Sequence, residues 1–225
     1  MLAAKNVNTT PPFPCGYQAA NALRRFHCLF TFGKELRGSE TAALWARDGM
    51  ASPMHVAMLA GDALKIAKRV VILTEGEEGV ERGVMAIVGK TPWAEKISFE
   101  HRCATRLRLV EKGEEGRKIG VGLDGKETEA EEVAFDFLVH QPAKRQAVSQ
   151  ILTALGVELD ARGDIKLVNP FGETTVPGVY AAGDAASLFK IVPAAVFSGA
   201  SAGAGITRSL SPEIIRNRFS IEGVA

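Results

Sequence analysis

Apolar positions along this chain change spacing twice, and the changes predict its elements. Thr41 to Ala46 reads as a short buried strand, Ser52 to Lys68 as an amphipathic helix opened by Ser52-Pro53, and Arg69 to Thr74 as a second strand carrying Val70-Val71-Ile72-Leu73. That order predicts a parallel strand pair joined by a right-handed helical crossover. Glu75 to Gly79 is a turn, and Glu81 to Gly89 is a further helix candidate. From Ile97 the spacing shortens to that of strands, at Ile97 to Glu100, Thr105 to Lys112, Lys118 to Leu123 and Glu132 to His140. Gly113 to Gly116 and Asp124-Gly125 supply their turns. Alternation in Arg106-Leu107-Arg108-Leu109-Val110-Glu111 fits a half-solvated hairpin, and Phe135 to Val139 returns the chain to the main sheet. Ser149 to Leu155 is a short helix stopped by Gly156, and Pro193 to Leu210 is a long helix rich in Ala, Gly and Ser. Gly16 to Phe26 reads as helical, whereas Met1 to Pro14, punctuated by Pro-Pro-Phe-Pro, reads as an extended arm.

Composition narrows the class. With 225 residues, 46% of them hydrophobic and 24% charged, and a formal charge of +1, the chain suits one or two globular domains. That balance offers no electrostatic case for nucleic acid or for an anionic membrane. No apolar run is long enough for a membrane span and Met1 to Pro14 lacks the order of a signal peptide, so a cytoplasmic protein is expected. Cys15, Cys28 and Cys103 are odd in number and far apart, which argues for reduced thiols and against a zinc site.

Two segments carry chemical signals. Val176-Pro177-Gly178 turns into the apolar run Val179-Tyr180-Ala181-Ala182, which ends at Gly183-Asp184 before small residues. Phe26-His27-Cys28-Leu29-Phe30-Thr31-Phe32-Gly33-Lys34-Glu35-Leu36-Arg37-Gly38 is the second. It resembles the active-site segment of fungal thioredoxin-reductase-like flavoproteins, the gliotoxin-type dithiol oxidases, which read His-Cys-x-x-Cys-His-Gly-x-Glu-x-Arg-Gly there. The resemblance runs in order from Gly16 to Leu210, through Phe137-Leu138-Val139-His140-Gln141-Pro142, Leu155 to Leu159 and Gly163 to Lys166. It implies an α/β fold, a Rossmann-like parallel sheet with a β-hairpin layer of the NADPH-domain kind, followed by the C-terminal remnant of an FAD-binding lobe. The expected division is an arm over 1–23, a degenerate nucleotide-binding domain over 24–142 and the flavin-lobe remnant over 143–225.

Three departures from the family pattern redirect the expected chemistry. Cys28 matches the first cysteine but Thr31 stands at the second, and dithiol cycling needs two sulfurs. The phosphate turn after Thr41 to Ala46 reads Arg47-Asp48-Gly49-Met50-Ala51-Ser52, with one glycine and a carboxylate where phosphates would sit. No Gly-x-Gly-x-x-Gly precedes Thr174, so the resemblance leaves Asp184 as a relic of the site that holds the ribityl chain of FAD.

The expected reading is a cofactor-independent cyclase or isomerase, pericyclic ring closure of Diels–Alder type included, acting on a small apolar natural product in fungal secondary metabolism. Such steps need substrate folding, desolvation and one or two hydrogen-bond donors rather than a cofactor. His27, Arg37, Cys28, Thr31 and His140 are the catalytic candidates, the histidines because they titrate near neutrality. Phe30, Phe32, Trp45, Glu35 and Lys190 are the pocket candidates, and Trp45 serves equally as a substrate wall or as core. A homodimer is expected to cover the C-terminal helix. The alternatives are an FAD-dependent oxidoreductase whose site a second subunit completes, and a non-catalytic binding module.

Overall fold

Strand alternation builds the larger unit, Thr10–Ala143, as three layers. In β4 (Ser39–Trp45), Ala42 and Leu44 face one core while Ala43 and Trp45 face another. β5 (Ala67–Leu73) repeats this, with Val70 and Ile72 on the first side and Leu73 on the second. The first core is closed by α1 (Pro53–Ala63), through Val56, Ala57, Ala60 and Ala63, and by α2 (Glu78–Val88), through Val80, Val84 and Val88. The second is closed by an antiparallel sheet of β7 (Ala104–Glu111), β8 (Arg117–Leu123) and β9 (Glu131–Phe135), which contributes Leu107, Ile119, Val121, Leu123 and Phe135. Adding β3 (Arg25–Phe26), β6 (Ile97–Glu100) and β10 (Phe137–Val139) gives a five-stranded sheet of order β3-β10-β4-β5-β6, parallel throughout. The structure, a computed structural model, describes residues 2–3, 6–8, 14–16, 20, 24–29, 33–47, 52–111, 117–124, 131–142, 144–146 and 148–219.

The smaller unit joins Met1–Thr9 to Lys144–Ala225. Here β1 (Leu2–Ala3) pairs in parallel with β12 (Ala181–Ala182), and β2 (Asn6–Asn8) pairs antiparallel with β11 (Lys144–Gln146). α3 (Ser149–Leu155) ends at Gly156, and α4 runs from Val192 to Phe219. Tyr180, Ala182 and Ala202 pack together with Ile206 beneath α4. The first nine residues thus belong with the C-terminal unit, where the sequence predicts a separate arm.

Several boundaries differ from the predicted ones for local reasons. The run over 132–140 is two strands, because Asp136 turns its carboxylate onto the start of β4: Oδ2 accepts the N–H groups of Glu40 and Thr41, each at 2.9 Å, and Lys118 Nζ pairs with Oδ1 at 2.9 Å. α1 stops at Ala63, five residues short of prediction, since β5 already begins at Ala67. The predicted helix over Gly16 to Phe26 is replaced at its end by β3, and residues 17–19 and 21–23 lie outside the described ones. At its start Gly16 crosses so close to β7 that a Cβ would sit 1.7 Å from the Leu107 carbonyl oxygen, at a φ of 84°.

Candidate functional site

The carboxyl ends of β4 and β5 form the edge at which open α/β sheets bind ligands. Here that edge is filled beside β4 and β10, while past the ends of β5 and β6 a cavity of about 440 Å³ stays open, lined by Gly76, Glu78, Glu81, Arg82, Met85 and His101. Trp45 is fully buried and its ring lies 4.8 Å from the equally buried His140 ring, at 37°. The Arg47 guanidinium sits 5.6 Å from the Trp45 ring centroid and pairs with Glu75 at 3.3 Å. Glu75 occupies a left-handed conformation, φ 50°, and its other oxygen accepts the Ala104 N–H at 3.3 Å. α1 opens on Pro53, which brings no N–H to the turn, and α2 packs onto that proline so tightly that a Cβ on Gly83 would lie 2.5 Å from Pro53 Cγ. A nicotinamide dinucleotide needs backbone N–H groups at the helix start and space beside the strand ends. Trp45 and Arg47 take up the space beside the end of β4, and residues 48–51 of the turn lie outside the described residues.

His140 illustrates the chemical consequence. Burial lowers its pKa to about 3, helped by the Arg25 and Arg47 charges and opposed by a hydrogen bond to the Arg47 backbone. An imidazole held neutral that far below its ordinary 6.5 does not exchange protons near neutrality, which corrects its expected role as acid or base there. Trp45 is likewise core rather than a wall facing solvent.

His27 and Cys28 follow β3 and lie at this carboxyl edge too, since Phe26 pairs with Val139 in the parallel sheet: His27 is exposed, Cys28 is partly exposed and outside any disulfide, and the His27 carbonyl accepts from Gln141 Nε2 at 2.9 Å. The amino ends of β4 and β5 are open, and there Leu29, Lys34, Arg37, Asp62, Lys65 and Ile66 line a cavity of about 270 Å³, so the fold puts His27 and Arg37 at opposite ends of the sheet. Arg37 also lines a second, polar cavity of about 360 Å³, together with Glu35. Gly33, at φ 103°, permits this approach: a Cβ there would meet Ile66 Cδ1 at 3.2 Å. Phe30, Thr31 and Phe32 lie outside the described residues.

Asp184 and Lys190 belong to the smaller unit. Asp184 lies in a single turn of 3₁₀ helix that Gly183 opens at φ 75°, and the Gly183 N–H donates to Ser198 Oγ at 2.9 Å. Lys190, expected to meet a substrate, instead spends its ammonium internally, on Asp164 Oδ1 at 2.7 Å and on the carbonyls of Asp184 and Ser187 at 2.6 and 2.9 Å. Gln146 Nε2 adds bonds to the carbonyls of Gly163 and Ala185, both at 2.9 Å, so this loop is held from several sides. Nothing local in the sequence signals this pairing, because Asp164 lies 26 residues from Lys190.

The sequence profile of the pyridine nucleotide-disulphide oxidoreductases matches residues 38–199. The chain belongs to that family. Among curated proteins, a thioredoxin reductase of Gibberella zeae is 36% identical over 188 residues, covering 83% of this chain and 52% of that protein. Thioredoxin reductase sirT of Leptosphaeria maculans is 33% identical over 210 residues, covering 92% and 61%. The chain therefore spans about half to three-fifths of the length of these two thioredoxin reductases. Among solved structures, that of HlmI superposes with a TM-score of 0.72 at 22% identity over 97% of this chain and 62% of that one. Thioredoxin reductase from Streptococcus pyogenes gives 0.65 at 18%, over 93% and 64%. Fold and family agree with the resemblance carried by His27 to Gly38 and by Gly183-Asp184.

Proposed function

We propose that this chain is a non-redox small-molecule enzyme of fungal secondary metabolism, a cyclase or isomerase working on an apolar natural-product intermediate without a cofactor. The observation that supports the reading is the packing beside the end of β4, where Trp45 and His140 are buried and Arg47 pairs with Glu75 over the indole. Thr31, in place of a second cysteine, removes dithiol cycling. What stays accessible is His27 at the carboxyl edge and Arg37 at the amino edge, an exposed imidazole able to move a proton and an exposed guanidinium able to donate hydrogen bonds to a folded substrate. The proposal includes a homodimer, supported by the exposed apolar run Leu188, Phe189, Ile191, Val192, Val196 and Phe197 at the start of α4, and a cytoplasmic location.

Its test is spectroscopic and kinetic. The purified protein is expected to be colourless, and calorimetric titration with NADPH or NADH is expected to give no micromolar Kd. On the metabolite that accumulates when the gene is deleted, His27→Ala or Arg37→Ala should lower turnover by about 10²-fold while Cys28→Ser leaves it intact. Loss of all activity in a folded Cys28→Ser protein would replace this mechanism with covalent thiol catalysis. A second reading, FAD bound with help from another subunit, draws on the partly exposed Asp184 and the left-handed Gly183 beside it. Stoichiometric flavin absorption would establish that alternative.

A further inference from the structure

The cavity at the amino ends of β4 and β5 combines an apolar floor with an uncompensated positive rim. Leu29 and Ile66 provide the floor, and Gly38 N–H holds the Ile66 carbonyl at 2.8 Å, which fixes the loop against the strand start. Of the three cations on the rim, Lys65 is answered by Asp62 at 2.7 Å. Lys34 and Arg37 are exposed and have no acidic partner among the described residues. The carboxyl end of α1 faces this region with about half a negative charge, too little to offset two cations, and the Lys65 and Ile66 N–H groups already engage the Asp62 and Ala63 carbonyls. At about 270 Å³ the space falls just below the range of about 300–1,000 Å³ that takes drug-sized ligands.

We infer that this cavity binds a small organic acid, its carboxylate on Arg37 and Lys34 and its compact apolar body on Leu29 and Ile66. Arg37 presents a planar fork suited to a carboxylate, and Lys34 adds a point charge. The inference deepens the reading of Arg37 as a substrate-contacting residue and rests on it: it assigns the substrate, or the part of it seated here, an acid group.

Binding without turnover separates the two. 3-Phenylpropanoate, 3-phenylpropan-1-ol and inorganic phosphate would be titrated against the full chain by calorimetry. The acid is expected to bind at least about tenfold more tightly than either the alcohol, which lacks the charge, or phosphate, which lacks the apolar body. Lys34→Gln with Arg37→Gln should abolish the preference for the acid over the alcohol, while Arg82→Gln, on α2 and outside this cavity, leaves it unchanged. Equal affinity for acid and alcohol, equal affinity for acid and phosphate, no binding of the acid, or a preference that survives the double substitution would each overturn the inference. The comparison of ligands on the unaltered protein needs no variant to fold. Acid binding that persists while Arg37→Ala keeps full turnover would sink the enzymatic role of Arg37 and leave the binding site standing.

Discussion

At the carboxyl end of β4, Trp45, His140 and Arg47 are each engaged by a neighbour, whereas at the amino ends of β4 and β5 two cations and two aliphatic side chains border open space. One backbone supports both outcomes. The difference lies in what the chain places at each end: after β4, Arg47 folds back over Trp45 and pairs with Glu75, while before β4, Lys34 and Arg37 stand on a turn bounded by Gly33 and Gly38, both at positive φ. A filled edge contributes to stability and an open one to recognition, so the two ends should respond differently to substitution.

Trp45→Ala should have the largest effect, a loss of about 3–5 kcal/mol, since a fully buried indole leaves a cavity between the two sheets. Urea denaturation checks it, and a loss under about 1 kcal/mol would show that this edge is not core. Lys190→Met should cost about 3 kcal/mol, because Asp164 is 5% exposed and would lose its 2.7 Å partner, keeping only Arg162 at 3.6 Å. The same urea experiment in Asp164→Asn with Lys190→Met should recover part of that loss.

The filled edge should also be sensitive to acid. His140 has a native pKa of about 3 against 6.5 unfolded, so its contribution is complete above pH 6.5 and is lost as pH falls towards 3. Between pH 7 and pH 5 this amounts to about 2 kcal/mol. Glu100, lowered to about 2 chiefly by its hydrogen bonds from Arg102, titrates in a separate window: its stabilisation is present above pH 4.5 and fades towards 2. Unfolding midpoints at pH 7.5, 6 and 5 in the protein and in His140→Gln should diverge in the first window only. Parallel curves for the two proteins would contradict the buried neutral imidazole. At the open edge, Arg37→Gln should shift stability by no more than about 0.5 kcal/mol, and a larger change in the same assay would mean that Arg37 is structural.

The parallel sheet and its helices were legible because they rest on local signals. Val70 to Leu73 is an uninterrupted apolar run, and Pro53 and Gly156 mark a helix start and a helix stop. The split at Asp136 was not legible, because the N–H groups that hold its carboxylate come from Glu40 and Thr41, far away in sequence. The strands in the first nine residues were missed for the same reason, since their partners are Ala181, Ala182 and 144–146.

Among the candidate site residues, the sequence alone determined the groups on offer: one sulfur at Cys28 with Thr31 at the second cysteine position of the family pattern, and Arg47 followed by Asp48 in the turn after β4. It also determined the family, through motifs kept in order from His27 to Asp184. Only the tertiary structure decided that Trp45 and His140 are buried against each other, that the Lys190 ammonium is consumed by Asp164 and two carbonyls, and that Arg37 borders open cavities. Residue type fixes what a group can do. Its burial and its partners, which fix what it does, are set by distant segments that the fold lays against it.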